Sequence, residues 1–356
     1  MPSIEGGGVE KNFFIISNFL STKIGDLSII STSISSKKKF SKKINLILPK
    51  KKIWEHTSRR LKYFICLILL LKMIIKNKNL TVFAFQANLY CIVICKLFRV
   101  KIITRSNSSP SGWSKNNLKI KIYKYLLNKA DAIIVNSIEF KKQMKKYFNV
   151  NTECIYNPLN LSYIKKQSKK SSNNIFGKKK CLKIINIGRY VDQKDQATLI
   201  KSLYLLKNKI NFQARIIGRG KLKKKLYTLI KNYDLINQVK LIEFRENPYS
   251  LLKQADIFIL TSIYEGLPNV LLEALALKKF VISSDCPTGP KEILLSGKGG
   301  LLFRKGDFQQ LSKKIIFYLN NKKICQKMLL KSTKMLKRFN QKNNLEKYFQ
   351  LINKHI

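Results

Sequence analysis

Two glutamates and the turn between them form the strongest chemical signal in the sequence. Glu265 follows an apolar run, IFILTS, and Glu273 lies in the helix-like stretch that comes next. Gly266 and Pro268 predict a turn that leads into this helix. Carboxylates at a helix N-terminus can accept hydrogen bonds from sugar or ribose hydroxyls, while the backbone N–H groups there favour a phosphate. Taken alone, two glutamates at this spacing favour a simpler interpretation, a loop charge and a solvated helix residue.

A second candidate is a pair of cations that follows the strand-like segment 182–187. Gly188 permits a sharp turn at the strand end, and Arg189 and Lys194 come directly after it. The forked guanidinium of an arginine and the charge of a lysine both suit a diphosphate. A chain with 70 Lys and Arg residues carries cations almost everywhere, so the position after a strand is what favours the functional interpretation.

Two glycine clusters are less specific. The segment IIGRG places Gly218 after another strand but lacks the third glycine and the acidic residue of a dinucleotide fingerprint. It therefore predicts the wall of a nucleotide pocket rather than an NAD site. Near the start, Gly6, Gly7 and Gly8 precede an amphipathic helix, where glycine permits close backbone approach to a ligand. A simple tight turn explains the three glycines equally well.

Short apolar runs that alternate with amphipathic stretches predict the elements that must position these residues, in an α/β fold. Strands are predicted at residues 27–31, 44–48, 81–85, 101–104, 132–135, 153–156, 182–187, 213–217, 239–242, 257–261 and 280–283. Helices are predicted at residues 10–20, 59–76, 89–98, 119–128, 195–207, 221–233, 248–254, 270–277 and from 308 onward.

The polar stretch KKQSKKSSNN divides this pattern and predicts an interdomain linker over residues 161–180. We therefore expect two Rossmann-like domains, an N-terminal one at residues 1–160 and a second at residues 181–339. A C-terminal helix at about 340–356 can pack back on the first domain. Two doubly wound units would bind a ligand in the cleft between the C-terminal ends of their strands.

Length and composition describe a globular protein with an unusual charge. The chain has 356 residues, of which 45% are hydrophobic and 25% charged, and this composition excludes disorder and fibrous repeats. Its formal charge of +51 favours phosphates, nucleic acid or anionic lipid as partners. A bias toward Lys, Ile and Asn, as in an A+T-rich genome, explains the same excess.

The cysteines and the apolar segments predict the compartment. Seven cysteines are scattered without a CxxC pair, so neither a disulfide framework nor a zinc site is expected, and a reducing cytoplasm fits better. The first residues do not form a signal-peptide pattern. The most apolar segment, residues 63–71, ends at Lys72, well short of the ~20 residues that span a bilayer. We expect a soluble protein or one attached to a membrane surface.

Taken together, these segments resemble the retaining family 4 glycosyltransferases with the GT-B fold. The stretch from Glu265 to Glu273 matches the E-x7-E motif of that family. Around it, GRYVDQKD, IIGRG, ADIFILTSIYEGLPNVLLEALA and SSDCPTGPKEIL match in order and spacing, while GGGVE, ADAIIVNS and YNP match more loosely. The form SSDCPTGPKEIL is most similar to the branch that builds bacterial surface glycans. The resemblance implies two Rossmann-like domains that face each other across a cleft, with residues 1–160 on the acceptor side and residues 181–339 binding the nucleotide sugar.

The resemblance also implies roles for the candidate residues. Arg189 and Lys194 would neutralise the donor diphosphate in place of a metal ion. Glu265 would hold the transferred sugar near its 3-hydroxyl, and Glu273 would hold the ribose hydroxyls. No metal and no cofactor are expected, because the nucleotide sugar is a substrate. Further donor contacts are expected from Gly188, Gly218, Phe244 in the base-binding segment 243–246, the turn residues Leu267, Asn269, Val270 and Leu271, and Gly7 and Gly8.

One departure from the family concerns a histidine that many members place near the donor sugar. The corresponding stretch reads TRSNSSP, so Arg105 and Asn107 stand there as weak acceptor-side candidates. The family's front-face reaction does not require a histidine, because the leaving phosphate accepts the proton of the acceptor.

The expected activity is transfer of a hexose or N-acetylhexosamine, with UDP as the expected nucleotide, to a glycan or polyprenyl-linked acceptor. The basic stretches KKKFSKK and RRLKYFICLILLLK could rest on anionic headgroups at the inner membrane face. A soluble acceptor is the alternative. A nucleic-acid-binding protein is disfavoured, because the sequence has no RRM-like aromatic-basic interleaving, zinc motif or helix-turn-helix signature.

The start of the sequence leads to a separate expectation. In a doubly wound domain the glycine loop follows a strand. Only Met1 to Glu5 precede Gly6, and Pro2 and Ser3 are poor residues for a central strand. We therefore expect that the first strand of this domain is missing from the sequence as printed.

Overall fold

The computed structural model describes residues 1–4, 6–110, 113–114, 116–177 and 180–356, which form two compact units. Unit 1 comprises Met1–Pro158 together with Gln341–Ile356, and unit 2 comprises Leu159–Asn340. Both units contain helices and parallel strands. The predicted α/β class is confirmed.

Unit 1 contains two parallel sheets. Its strands are β1 (Ser28–Ile30), β2 (Asn45–Ile47), β3 (Thr81–Ala84), β4 (Lys101–Arg105), β5 (Ala132–Val135) and β6 (Glu153–Cys154). One sheet pairs β1 with β2, and the other has the order β3-β4-β5-β6. Its helices are α1 (Gly8–Leu20), α2 (Arg59–Lys76), α3 (Asn88–Leu97), α4 (Asn117–Leu127), α5 (Ile138–Phe148) and, numbered last in the chain, α14 (Gln341–Asn353).

The four-stranded sheet of unit 1 is buried on both faces. Side chains alternate across a strand, and Ile102 and Ile103 of β4 accordingly lie in two different apolar clusters. The cluster that contains Ile103 also contains residues of α1 and α14, and the cluster that contains Ile102 contains residues of α2, α3, α4 and α5. Helices therefore cover both faces, and the C-terminal helix belongs to unit 1.

Unit 2 contains one parallel sheet of six strands. In chain order these are β7 (Leu182–Ile187), β8 (Phe212–Gly218), β9 (Val239–Glu243), β10 (Ile257–Leu260), β11 (Phe280–Ser284) and β12 (Leu301–Phe303). Across the sheet the order is β12-β11-β10-β7-β8-β9, so the direction of winding reverses between β7 and β10. The helices are α6 (Leu161–Ser168), α7 (Gln196–Tyr204), α8 (Lys223–Asn232), α9 (Tyr249–Lys253), α10 (Asn269–Ala276), α11 (Pro290–Ile293), α12 (Phe308–Asn320) and α13 (Lys322–Lys334).

The segment expected to link two domains, 161–180, differs from that expectation at its start. Helix α6 occupies its first residues, and the Asn160 side chain accepts a hydrogen bond from the Tyr163 N–H at 2.8 Å to begin it. Ile164 is buried because α6 packs against α9. Leu161, Tyr163 and Ile164 at the start of this short helix do not repeat over a second turn, so the pattern was too weak to predict it.

The first residues of the chain form hydrogen bonds with other parts of unit 1. The Met1 amine donates to the Ile30 carbonyl at 2.8 Å, and the Ser3 N–H donates to Gln86 Oε1 at 3.2 Å. These contacts do not test the expected missing strand, which stays a prediction.

Within the described part of the chain, no helix is both long enough and apolar enough to cross a membrane.

Candidate functional site

The loops at the carboxyl ends of β7 and β10 form the candidate site of unit 2. These two strands are neighbours, and the winding of the sheet reverses between them. In doubly wound sheets a crevice opens at this reversal, because the loops that follow the two strands turn to opposite faces. The predicted cations follow β7, and the predicted glutamates follow β10, so the fold brings both sets to one crevice.

An ion pair joins the two loops. Lys194 Nζ lies 2.5 Å from Glu265 Oε1, although the two residues are 71 positions apart in the chain. The side chains are only 17% and 9% exposed. Because the pair is largely shielded from water, the attraction between the charges is screened less than on an open surface. The pair presents a cation and an acceptor of hydrogen bonds at one point of the crevice.

Hydrogen bonds outside the ion pair hold the same two loops in place. The Ile263 N–H donates to the Gln193 carbonyl at 2.8 Å, and Gln193 Nε2 donates to the Tyr264 carbonyl at 2.9 Å. Thr261 Oγ1 donates to the Lys194 carbonyl at 2.8 Å. The positions of Lys194 and Glu265 are therefore set by the backbone before any ligand arrives.

The loop after β11 contacts the backbone of Glu265 and Gly266. Thr288 Oγ1 donates to the Glu265 carbonyl at 2.6 Å. Gly289 has a φ of 82°, and a Cβ there would lie 2.4 Å from the Gly266 carbonyl oxygen, so only glycine fits this close approach. Burial, with the Glu265 charge adding to it, raises the pKa of the Cys286 thiol to about 12. The thiol of Cys286 therefore stays protonated at neutral pH.

The loop after β7 lies tightly against the end of β8. A Cβ on Gly218 would lie 2.0 Å from the Gly188 carbonyl oxygen, which explains the glycine that ends β8. Tyr190 is fully buried, and its hydroxyl lies 2.8 Å from the carbonyl oxygens of Ile216 and Ile242. Burial raises the pKa of this phenol, so it remains a neutral donor. Sequence reasoning missed this role of Tyr190.

Glu273 lies on α10 and has a partner that the sequence did not reveal. Its carboxylate is 7% exposed and accepts a hydrogen bond from the Tyr249 hydroxyl at 3.1 Å. Tyr249 begins α9 and is itself buried against the Tyr163 ring. The place of Tyr249, three residues after the predicted base-binding segment 243–246, was the signal that could have found it.

The start of α10 carries the predicted turn residues. The Leu271 N–H donates to the Pro268 carbonyl at 3.0 Å, which closes the first turn. Leu267 and Leu271 are buried, whereas Asn269 and Val270 are half-buried. The first N–H groups of a helix have no acceptor within it, so this end favours an anion.

Two arginines border the crevice. Arg189 is exposed, and among the described residues no acceptor bonds its guanidinium, although its carbonyl accepts from Gln196 Nε2 at 2.9 Å. Arg219 was not predicted as a functional residue. Its guanidinium lies 4.6 Å from the centre of the Phe244 ring, so a stacked pair borders the loops after β8 and β9.

The glycine loop of unit 1 forms a helix start. Gly7 is the N-cap of α1, Gly8 is its first residue, and the Gly7 N–H donates to Glu10 Oε2 at 2.9 Å. The expected contact of Gly7 and Gly8 with a ligand stays a prediction.

The structure contradicts a direct acceptor contact for Arg105. Its side chain is fully buried, with Nε donating to the Tyr348 hydroxyl at 2.8 Å and Nη2 to Asn157 Oδ1 at 2.6 Å. Nη1 donates to Asn107 Oδ1, and the Asn107 amide donates to the Phe85 carbonyl at 2.9 Å. Arg105 therefore packs α14 against the sheet, and Asn107 is engaged in the same network.

No metal-binding cluster is found in the part of the chain that the structure describes. His, Cys, Asp and Glu side chains do not gather there in groups of three or more. Whether the reaction depends on a metal ion stays a prediction.

Comparisons with known proteins identify glycosyltransferases as similar to this chain. Residues 165–335 match the model of the family described as glycosyl transferases group 1. The chain is 37% identical over 219 residues to an uncharacterized glycosyltransferase of Methanocaldococcus jannaschii, over 57% of this chain and 53% of that protein. It is 30% identical over 223 residues to an N-acetylgalactosaminyltransferase of Campylobacter jejuni, over 60% of this chain and 59% of that protein. The matches thus span between half and three fifths of these curated relatives.

A solved structure matches over nearly the whole chain. The crystal structure of Anabaena HepE in complex with UDP-glucose has a TM-score of 0.78 at 16% identity and covers 99% of this chain and 98% of that one. At this identity the likeness concerns the fold. The fold of this chain is GT-B, with the two Rossmann-like units described above.

Proposed function

We propose that this protein is a retaining glycosyltransferase that moves a hexose or N-acetylhexosamine from a UDP-sugar to a growing glycan on a lipid carrier. The observation that carries the proposal is the Lys194–Glu265 pair at the reversal point of the unit 2 sheet. The match of residues 165–335 to a glycosyltransferase family model supports the same reaction class.

In this reaction the bond from the anomeric carbon to the UDP oxygen breaks, and a bond to the acceptor oxygen forms on the same face of the sugar. Arg189 and Lys194 neutralise the charge that develops on the departing diphosphate, and the N–H groups at the start of α10 add to this. A phosphate oxygen of the leaving group takes the acceptor proton. No metal ion is required, because protein cations supply the positive charge.

Two carboxylates position the donor. Glu265 accepts a hydrogen bond from the 3-hydroxyl of the sugar. Lys194 contacts the other carboxylate oxygen of Glu265 or an oxygen of the donor phosphate. Glu273, fixed by Tyr249, accepts from the ribose hydroxyls. Backbone groups of residues 243–246 contact the base beside the stacked Arg219 and Phe244.

The acceptor class is proposed from relatives. The Campylobacter jejuni relative is named for transfer to a diphospho-undecaprenol-linked glycan. We therefore propose a polyprenyl-linked glycan as acceptor, with the protein in the cytoplasm at the inner face of the membrane. The scattered, odd number of cysteines supports a reducing compartment.

A donor panel tests the proposal. Purified protein is mixed with several UDP- and GDP-sugars, and the shift in Tm and the release of nucleotide are measured. One or more UDP-sugars should raise Tm and be hydrolysed slowly, and Glu273→Gln should abolish the shift. Glu346→Gln, a surface carboxylate in unit 1, is the matched control and should behave as wild type. Absence of any shift or hydrolysis with all donors would contradict the proposal.

A further inference from the structure

Three neighbouring helices of unit 1 share one core and one outer surface. Leu70 of α2, Ile92 of α3 and Leu127 of α4 are all buried in the cluster that contains Ile102. Helix α3 contacts both α2 and α4. The three helices therefore lie side by side on the same face of the sheet.

Each of these helices carries a second apolar stripe that is exposed to solvent. The spacing along each stripe, three, four or seven residues, keeps the side chains on one helical face. Phe64 is 61% exposed, Leu97 76% and Leu118 68%. We call the set the α2–α4 face: Leu61, Phe64, Ile68 and Ile75 on α2, Tyr90, Val93 and Leu97 on α3, and Leu118, Ile122 and Tyr125 on α4.

Repeated exposed stripes need an explanation that single residues do not. Isolated apolar side chains are normal on a protein surface, but a contiguous patch marks an interaction surface. On α2 the buried residues Cys66, Leu70 and Ile74 form an inner stripe that packs in the core of unit 1. The outer apolar stripe of α2 is therefore not needed for that packing. The α2–α4 face is therefore available to a partner.

The charge of the same helices identifies the chemistry of that partner. Their sequences contain nine Lys or Arg residues and no Asp or Glu. Among the described residues only Lys96 of these nine pairs with a carboxylate, that of Asp131 at 2.7 Å. The other eight lie on α2 and α4, which also carry apolar stripes, and, among the described residues, pair with no carboxylate. The partner must therefore be both apolar and anionic.

We propose that the α2–α4 face binds an anionic lipid bilayer, with its apolar side chains inserted among the headgroups and its cations on the phosphates. Helices with this combination lie in the plane of a membrane surface. A second copy of the same face would bring nine cations against nine. Nucleic acid would neutralise the cations but leave most of the apolar stripes, seven of whose ten side chains are aliphatic, exposed. The contact goes beyond the proposed transfer reaction and does not depend on donor binding.

Vesicle sedimentation tests the inference on the full chain. Phe64, Leu97 and Leu118 are replaced together by Ser, which keeps every charge, so the total charge of the protein cannot explain a difference. The matched control replaces Tyr227, Ile324 and Leu330 of unit 2 by Ser, because these side chains are 55%, 50% and 55% exposed. Thermal unfolding and the donor-induced Tm shift are measured on the same samples.

Wild type and control should sediment with phosphatidylglycerol-containing vesicles, less with pure phosphatidylcholine, and less at high salt. The triple variant should bind anionic vesicles at least roughly tenfold more weakly. Equal binding by the triple variant and wild type would overturn the inference, as would wild-type binding to DNA in preference to vesicles. If no donor shifts the Tm of wild type, the proposed transferase reaction is contradicted. The vesicle result does not depend on that outcome.

Discussion

Two cations, Lys194 of unit 2 and Arg105 of unit 1, stand at the ends of parallel strands in similar sequence settings but have opposite surroundings. Lys194 follows β7 and meets the carboxylate of Glu265 in a crevice that retains some exposure. Arg105 ends β4 and is fully buried among neutral oxygens, those of Tyr348, Asn157 and Asn107. A basic residue after a strand is therefore not by itself a sign of a ligand site.

The partner decides the role in both cases. Burial raises the pKa of the Tyr348 phenol, so this hydroxyl stays neutral and accepts the Arg105 hydrogen bond without cancelling its charge. Such a buried cation depends on each of its acceptors, and the contact therefore fixes α14 in unit 1. Lys194, by contrast, has an anionic partner and lies at the reversal of the sheet. This setting is the basis of the ligand-binding role proposed for Lys194.

The largest expected effect is on turnover after Glu265→Gln. The amide keeps the shape and an oxygen for Lys194, but it removes the negative charge that would face the sugar. Turnover of the preferred UDP-sugar should fall by roughly 100-fold in protein that remains folded, and Tm should fall as well because Lys194 loses its anionic partner. Steady-state kinetics and thermal unfolding measure the two quantities, and a wild-type rate in this variant would refute the role given to Glu265.

Arg189→Ala should reduce turnover by about tenfold, because one of the cations proposed for the diphosphate is removed. Arg189 is exposed, so the fold should be retained.

Activity of wild type should survive EDTA, since protein cations are proposed to replace a metal. The assay compares nucleotide release with and without EDTA. A strict requirement for Mg²⁺ or Mn²⁺ would contradict the metal-independent mechanism.

Tyr348→Phe should act on stability and not on the donor. The substitution leaves Arg105 Nε without its acceptor in a buried setting, and this should lower the free energy of unfolding by about 1–3 kcal/mol. Denaturant unfolding measures the change. Phe349→Leu, at a partly buried neighbour on α14, is the control for packing alone. An unfolding free energy equal to that of wild type would show that the Arg105 network is not a structural lock.

The smallest effect is expected for Tyr249→Phe, which removes the hydroxyl that positions Glu273. KM for the donor should rise about fivefold while kcat stays close to wild type, because the ribose contact is loosened and the chemistry is not. Tyr163→Phe, on the ring that packs against Tyr249, is the control. A fall in kcat without a change in KM would place Tyr249 in a different role.

The sequence predicted those strands and helices whose residue pattern is clear within a single short segment. The run 182–187 was predicted to the residue as β7, and the loop positions after β7 and β10 placed the candidate residues on one crevice. Helix α5 was missed although Phe140, Met144 and Phe148 carry a helical spacing, because four lysines between them obscure it. The strand β12 was too short to recognise.

Long-range contacts account for most of what the sequence did not reveal. Arg105 and Tyr348 are 243 positions apart, and nothing in TRSNSSP indicates that the arginine is buried. Tyr249 and Glu273 lie on the helices before and after β10, 24 positions apart, and Tyr190 reaches the ends of β8 and β9. Such contacts follow from the packing of completed elements and not from any one segment.

The central claim is that Lys194, held by Glu265 at the strand ends of unit 2, binds the donor diphosphate and that Arg105 of unit 1 does not. Calorimetric titration with UDP tests it most directly, on wild type, the double variant Lys194→Met/Glu265→Gln, and Tyr348→Phe. The double variant removes both charges, so neither is left buried and unpaired. Its Kd for UDP should be about tenfold weaker, whereas folded Tyr348→Phe should bind as wild type. Unchanged affinity in the double variant, or loss of affinity in folded Tyr348→Phe, would contradict the claim.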